Sequence, residues 1–332
     1  MKNKLPAILS AVFAVASAAF IGLSVFNFVT KDSAGSDSEG EIFDAKTEGL
    51  VLAQGVENDV LGTTLNSLIS QNMKNQKEYP KDIREELKQA YSINNDLVGW
   101  LSIPGTELDT AVVQSDDNNY YLKKDFYNKT TYETSSDNYG NIYLDYRCVT
   151  PDVSKNMVIH GHTTGRSDGI PKQSFRSLYN YKNMDYFIEN PIIKYSSLTE
   201  EYTYKICAVF LSNTNPKDDN GYFFNYIYPD MSENNMIGYI EQVNQRKLYE
   251  TGVSLEKGDK IITLSTCTYD FGASVDTRLV VVARLLHEGE SEEIDASLVK
   301  ENPDYRRPQV WYNSKGKTNP YKNSTKWEPS PN

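Results

Sequence analysis

Apolar residues come along this chain in short bursts. From Gly99 onward they alternate with Asn, Asp, Gly and Pro: Trp100 to Ile103, Thr110 to Val113, Asn141 to Leu144, Asn156 to His160, Ile192 to Tyr195 and Tyr202 to Ser212. Two further runs, Ile261 to Thr266 and Leu279 to Leu286, flank a polar loop holding Asp270, Gly272 and Asp276 and read as strands joined by a turn. About seven to eight short strands at this spacing predict a mainly β domain, a closed barrel or a sandwich.

The period changes to helical in a few places. Asp82 is positioned to cap a helix whose Ile83, Leu87, Ala90 and Tyr91 fall at the three-and-four spacing of one face, and the domain is expected to start there. Phe175 to Tyr179 and Met184 to Ile188 are compact apolar clusters suited to a short helical connection. Ser232 can cap a helix carrying Ile237, Ile240, Val243 and Leu248 on or near one face, inside the crossover before the Ile261 strand. A weaker helical stretch spans Leu61 to Met73.

From Leu5 to Thr30 no residue is charged, a span long enough to cross a bilayer as a helix. Lys2 and Lys4 precede it and Asp32, Asp37, Glu39 and Glu41 follow, which predicts an N-terminus held inside and export of everything after Lys31. A cleaved signal peptide is the rival reading, because Ala16-Ser17-Ala18 resembles a small-residue cleavage site. The apolar run continues past Ala18, which favours a retained anchor.

The net charge of −11, with no basic face to offset it, excludes nucleic acid as a partner. Three cysteines, Cys148, Cys207 and Cys267, fit neither a disulfide framework nor a zinc pattern. Cys148 and Cys207 lie among apolar neighbours and read as small buried hydrophobes. Cys267 differs, because it ends one strand while Arg278 opens the next, so the turn would bring a thiol and a guanidinium together.

A nucleophilic thiol needs a proton partner, and the histidines are His160, His162 and His287. His287 falls near the far end of the Arg278 strand, roughly 30 Å along. His160 and His162 share one face if the strand from Met157 stays regular, and Gly161 with the following Thr-Thr-Gly ends that strand near His162. Plainer readings stand beside these. Cys267 could be a buried hydrophobe, His160-Gly161-His162 a fragment of a metal site, and Arg278 a surface partner of Asp276 or Asp270. The 24 tyrosines could mark a peptide-binding surface or be spread along strand edges.

Thr263-Leu264-Ser265-Thr266-Cys267, an arginine opening a Val-rich strand, and a Gly-His dipeptide ending an earlier apolar strand together resemble a sortase. Gln114 through Leu122, the run Asn141 to Arg147 and the helix before the cysteine strand resemble class B sortases, and the similarity covers about Asp82 to Leu286. The resemblance implies a sortase-like closed β-barrel with an N-terminal helix and a helix in the crossover before the cysteine strand, preceded by one transmembrane helix. The residue patterns divide the chain into 1–30 as cytoplasmic N-terminus and signal anchor, 31–80 as extracellular stalk, 81–287 as catalytic domain and 288–332, acidic at first and then polar with five prolines, as an extended or disordered extension past the resemblance.

By the same resemblance Cys267 is the nucleophile, His162 the family histidine and Arg278 the family arginine, with Ser265 and Thr266 lining the substrate pocket and no cofactor or metal. His160 stands where the family more often has an aromatic residue. The implied activity is membrane-anchored transpeptidation: cleavage of a C-terminal sorting signal after Thr through a thioacyl enzyme, then transfer of an exported protein to a cell-wall peptide or pilin amine. An exported cysteine protease and a non-catalytic assembly scaffold are the alternatives. Asn319-Pro320-Tyr321-Lys322-Asn323 echoes the Asn-Pro opening of class B signals, but it lacks the Thr and an apolar anchor after it and is read as coincidence.

Overall fold

The computed structural model describes residues 79–128, 140–150, 154–163 and 174–330. The anchor, the stalk and the Leu61 to Met73 helix lie outside them. No helix among the described residues is long and apolar enough to cross a membrane.

The chain divides into two units, Met1–Leu97 and Val98–Asn332. The described part of the first holds helix α1, Glu85–Ile93, which buries Leu87, Ala90, Tyr91 and Ile93. Its N-cap is Arg84 and not Asp82, whose backbone is left-handed with φ of 63°. Glu85 and Glu86 sit in the first turn, where negative charge complements the helix dipole.

In the second unit the strands are β1 (Leu97–Ser102), β2 (Asp109–Val113), β3 (Tyr143–Leu144), β4 (Asn156–His160), β5 (Ile192–Ser197), β6 (Glu201–Asn213), β7 (Tyr249–Glu250), β8 (Ile261–Thr268), β9 (Thr277–Leu285) and β10 (Lys300–Glu301). Among the described residues, eight of them close a barrel in the order β1-β2-β3-β4-β8-β9-β6-β5, with β1 pairing back onto β5. Among the described residues, closure leaves no edge strand in the barrel. The 3-10 helix Arg176–Lys182 and helix α2, Met184–Glu189, form the expected connection before β5, and Asn183 caps α2 by accepting from the Asp185 N–H.

The cysteine-bearing strands read as continuous apolar runs because both of their faces are covered. Ile262, Leu264, Leu279, Val281 and Ala283 belong to one core, whereas Ile261, Val280 and Val282 belong to a second, with Phe210, Phe224 and Tyr239. A β-bulge in β6 between Ile206 and Ala208 puts Cys207 and Ala208 together into the second core. Helix α3, Glu233–Arg246, supplies much of this outer cover. Ser232 caps it as expected, accepting from the Asn235 N–H at 3.2 Å. Its buried face is Met236, Tyr239 and Val243, and Ile237 is exposed, so the apolar stripe is rotated from the one expected.

The residues after β9 overturn the expectation of an extended or disordered extension. They form strand β10, which pairs antiparallel with β7, and helix α4, Gln309–Ser314, and they end on a buried Trp327. The charges that suggested disorder are matched by partners elsewhere in the domain. Glu290 takes Arg284 in a two-pronged pair at 2.6 and 2.8 Å and Lys205 at 2.9 Å, and Arg306 pairs with the buried Asp219 at 3.1 Å. Holding Glu290 among those donors keeps its carboxyl well below the usual range.

Candidate active site

The residues singled out by chemistry lie on, or just past the end of, three adjacent strands. β8 and β9 pair antiparallel with Cys267 directly opposite Arg278, and β4 pairs parallel with β8 up to His160 opposite Ser265. Directly opposed side chains stand about 5 Å apart at Cβ and on the same face. Beyond His160 the ladder continues, because the Gly161 N–H donates to the Ser265 carbonyl at 3.2 Å. His162 follows just past the end of β4, and its carbonyl accepts from the Phe175 N–H at 2.7 Å. Thr163 Oγ1 donates to the Cys267 carbonyl at 3.2 Å, and Thr266 Oγ1 donates to the Gly161 carbonyl at 2.8 Å, so the two strand ends are cross-tied.

Alternation decides which candidates share the thiol's face. Ser265 does, and its Oγ lies 2.9 Å from the hydroxyl of the buried Tyr226. Thr266 does not: it is buried on the opposite face with its hydroxyl committed to Gly161, which departs from its expected role in lining the pocket. Gly161 is itself required, since a Cβ there would meet the Phe175 ring at 2.8 Å.

The imidazoles have separate partners. His162 Nε2 lies 2.9 Å from the Leu122 carbonyl, which can only accept, so Nε2 carries a proton and Nδ1 is the nitrogen free to exchange one in the neutral ring. His160 Nε2 lies 3.1 Å from Asp145 Oδ2, and its ring packs 5.3 Å from that of Tyr143. Burial works to raise the Asp145 pKa, but hydrogen bonds from Arg147 and His160 outweigh it and hold the carboxyl well below the usual range. His287 pairs with Asp259 at 2.8 Å, away from this group.

Burial pushes the Cys267 thiol above its ordinary pKa, Arg278 pulls it back down and Asp276 adds to the rise. Arg278 is held in turn by Asp276, the ion pair that the plain reading of the sequence anticipated. Asp276 also accepts from Thr214 Oγ1 at 2.6 Å. Thiol and guanidinium are both half-buried. Cys148 and Cys207 are buried, unpaired and pushed up to about 12 by burial, and no cluster of three or more His, Cys, Asp or Glu among the described residues is arranged to hold a metal. Sequence reasoning gave no role to Asp145, Tyr226 or the Leu122 carbonyl. Asp145 and Leu122 lie in the runs that carried the family resemblance, whereas Tyr226 is one tyrosine among many and carried no signal.

A family model for the sortase domain matches residues 101–286, more than half of the chain. The chain belongs to the sortase family. A sortase B of Listeria monocytogenes is 33% identical over 186 residues, covering 56% of this sortase and 68% of that relative. A sortase B of Staphylococcus aureus is 25% identical over 210 residues, 63% of this chain and 78% of the other. The solved structure of a Staphylococcus aureus sortase B–substrate complex shares the fold with a TM-score of 0.51 at 23% identity, over 73% of this chain and 99% of that one. These relatives put this sortase in class B, and a sortase is a cysteine transpeptidase.

Proposed function

We propose that this transpeptidase uses Cys267 as nucleophile, His162 as general acid and base and Arg278 as the donor to substrate. What supports the reading is the β8–β9 pairing that sets Cys267 opposite Arg278, with the segment that carries His162 tied to the end of β8 through Gly161 and Thr163. The Cys267 thiolate attacks the carbonyl carbon after Thr in a C-terminal sorting signal. His162 takes the thiol proton, the S–C bond forms, the C–N bond breaks and His162 passes that proton to the departing amine. An incoming amine then attacks the thioester, the S–C bond breaks and His162 takes the amine's proton. The planar fork of Arg278 suits hydrogen bonding to the substrate backbone or the developing oxyanion once it turns from Asp276. His162 is preferred to His160 because His160 stands opposite Ser265 with its ring held by the Asp145 carboxylate, whereas His162 lies on the segment tied to Cys267 through Thr163.

The uncharged Leu5 to Thr30 run supports a cell-membrane protein of one pass, with a cytoplasmic N-terminus and the catalytic domain outside. Exported proteins bearing a sorting signal would then be the substrates and a cell-wall peptide or pilin amine the acceptor. The test incubates the purified protein with a peptide library of Thr-containing signals and a glycine oligomer, following new amide by mass spectrometry. Amide should form with wild type and His160→Ala and be lost with Cys267→Ala and His162→Ala. Hydrolysis alone would favour a protease, and an inactive His160→Ala beside an active His162→Ala would reverse the assignment.

A further inference from the structure

The matched family domain ends at residue 286, yet the residues after it are bound into the same unit as the barrel. Their last anchor is Trp327. Its ring stacks edge-on to Phe224 and Tyr239 at 5.8 and 5.9 Å between centroids. The Trp327 backbone N–H donates to the Tyr222 hydroxyl at 3.1 Å, and Gln242 Nε2 and Asn235 Nδ2 donate to the neighbouring Thr325 and Ser330 carbonyls at 2.9 and 2.8 Å.

Gly238 is the independent sign that this seat is built in. It lies inside α3, where glycine costs about 1 kcal/mol relative to alanine. A Cβ there would come within 2.0 Å of the Trp327 ring. The helix therefore forgoes a side chain at the point where the tail crosses it.

The seat connects to the thiol. Phe224, against which Trp327 stacks, packs on Tyr226 at 6.2 Å, and both rings pack on Phe210 of β6 at 5.8 and 5.9 Å. The Tyr226 hydroxyl bonds Ser265 Oγ, two residues before Cys267 on the same face of β8. Asn156 Nδ2, at the base of the histidine strand, donates to the Tyr226 and Tyr228 carbonyls at 3.0 and 3.1 Å. The segment from Tyr222 to Tyr228 thus forms a wall beside the site, with the site on one side and the tail on the other.

We propose that the C-terminal tail is a strap and Trp327 a positioning residue, which acts through Phe224 and Tyr226 to set the active-site wall against Ser265 and Cys267. The proposal rests on the transpeptidase reading above for its turnover readout, while alkylation of Cys267 reports on the wall without it. In the full chain, Trp327→Ala and Gly238→Ala should each lower kcat/KM for peptide and amine by about fivefold or more and change the iodoacetamide rate at Cys267, while melting stays cooperative. Trp327→Phe should restore both. In a Tyr226→Phe background, Trp327→Ala should add no further loss, because the route it acts through is already cut.

Gly238→Ala raises helix propensity, so its defect would report the displaced tail and not a weakened helix. Wild-type turnover and alkylation in either folded variant would overturn the proposal, as would additive losses in the Tyr226→Phe background. Failure of both variants to fold would make Trp327 a core residue only and overturn it equally. Changed alkylation in a protein whose Cys267→Ala form still transfers peptide would instead defeat the catalytic assignment and leave the strap standing.

Discussion

Removing the Arg278 guanidinium takes from Cys267 the nearby cation that favours its thiolate, and removing the Asp276 carboxylate takes away an anion that opposes it. Arg278→Ala should therefore slow iodoacetamide alkylation of Cys267 at pH 8, and Asp276→Asn should speed it, each by about threefold. Equal rates in the two variants would mean that neither charge reaches the thiol. Native protein should take up label at Cys267 alone at that pH, because Cys148 and Cys207 are buried with pKa values of about 12, and peptide mapping reads this directly.

Asp145 gives a stability prediction whose sign follows from its depressed pKa. Its ionised form is stabilised by folding, so the contribution is present above the ordinary carboxylate value of about 4 and is lost as pH falls through and below it. Asp145→Asn should flatten that acid limb of the melting temperature between about pH 4 and pH 2. The single residues most legible in the chain were the ones with chemistry. Cys267 and Arg278 stood out because a strand-turn-strand pattern fixes which residues oppose each other. Tyr226 did not, because its importance comes from a neighbour 39 residues away in sequence, which no local period encodes.

Among the elements, strands were easier to read than helix faces. The apolar bursts matched the barrel strands because a strand covered on both faces is a continuous run, and a run has no phase to mistake. Helix α3 does have a phase. Isoleucines at 237 and 240 drew the expected stripe to one side, whereas Met236 and Tyr239 are buried in the core that holds Phe210 and Phe224. Its N-cap was readable, since Ser232 needs only its own helix to act on. Ser232→Ala should cost about 1 kcal/mol in denaturant unfolding. Asp82 looked equally suitable for α1 but lies two residues too early, in a left-handed conformation that starts no helix.

Composition misled most for the molecule as a whole. Prolines and charges after β9 suggested a free tail, but averages cannot register one tryptophan whose seat is a missing side chain on another element, or one glutamate that meets Arg284 and Lys205 together. A chain ending at residue 287 should accordingly lose stability and not merely length. It would expose Phe224 and Tyr239 and strand Asp219 without Arg306, so its melting temperature should fall by several degrees, about what a loss of 2 kcal/mol produces. An unchanged melting temperature would show that the tail contacts carry no net energy.

The reciprocal ties at the strand ends, Thr163 to the Cys267 carbonyl and Thr266 to the Gly161 carbonyl, bear on time as well as distance. They make the stretch carrying the imidazole and the stretch carrying the thiol one rigid body. For the proposed acid and nucleophile, the entropy of bringing the two together is then spent once, during folding, and not in each catalytic cycle. Amide protons of Gly161 and Cys267 should exchange with solvent in step, and Thr266→Val should uncouple them, lowering kcat more than it raises KM.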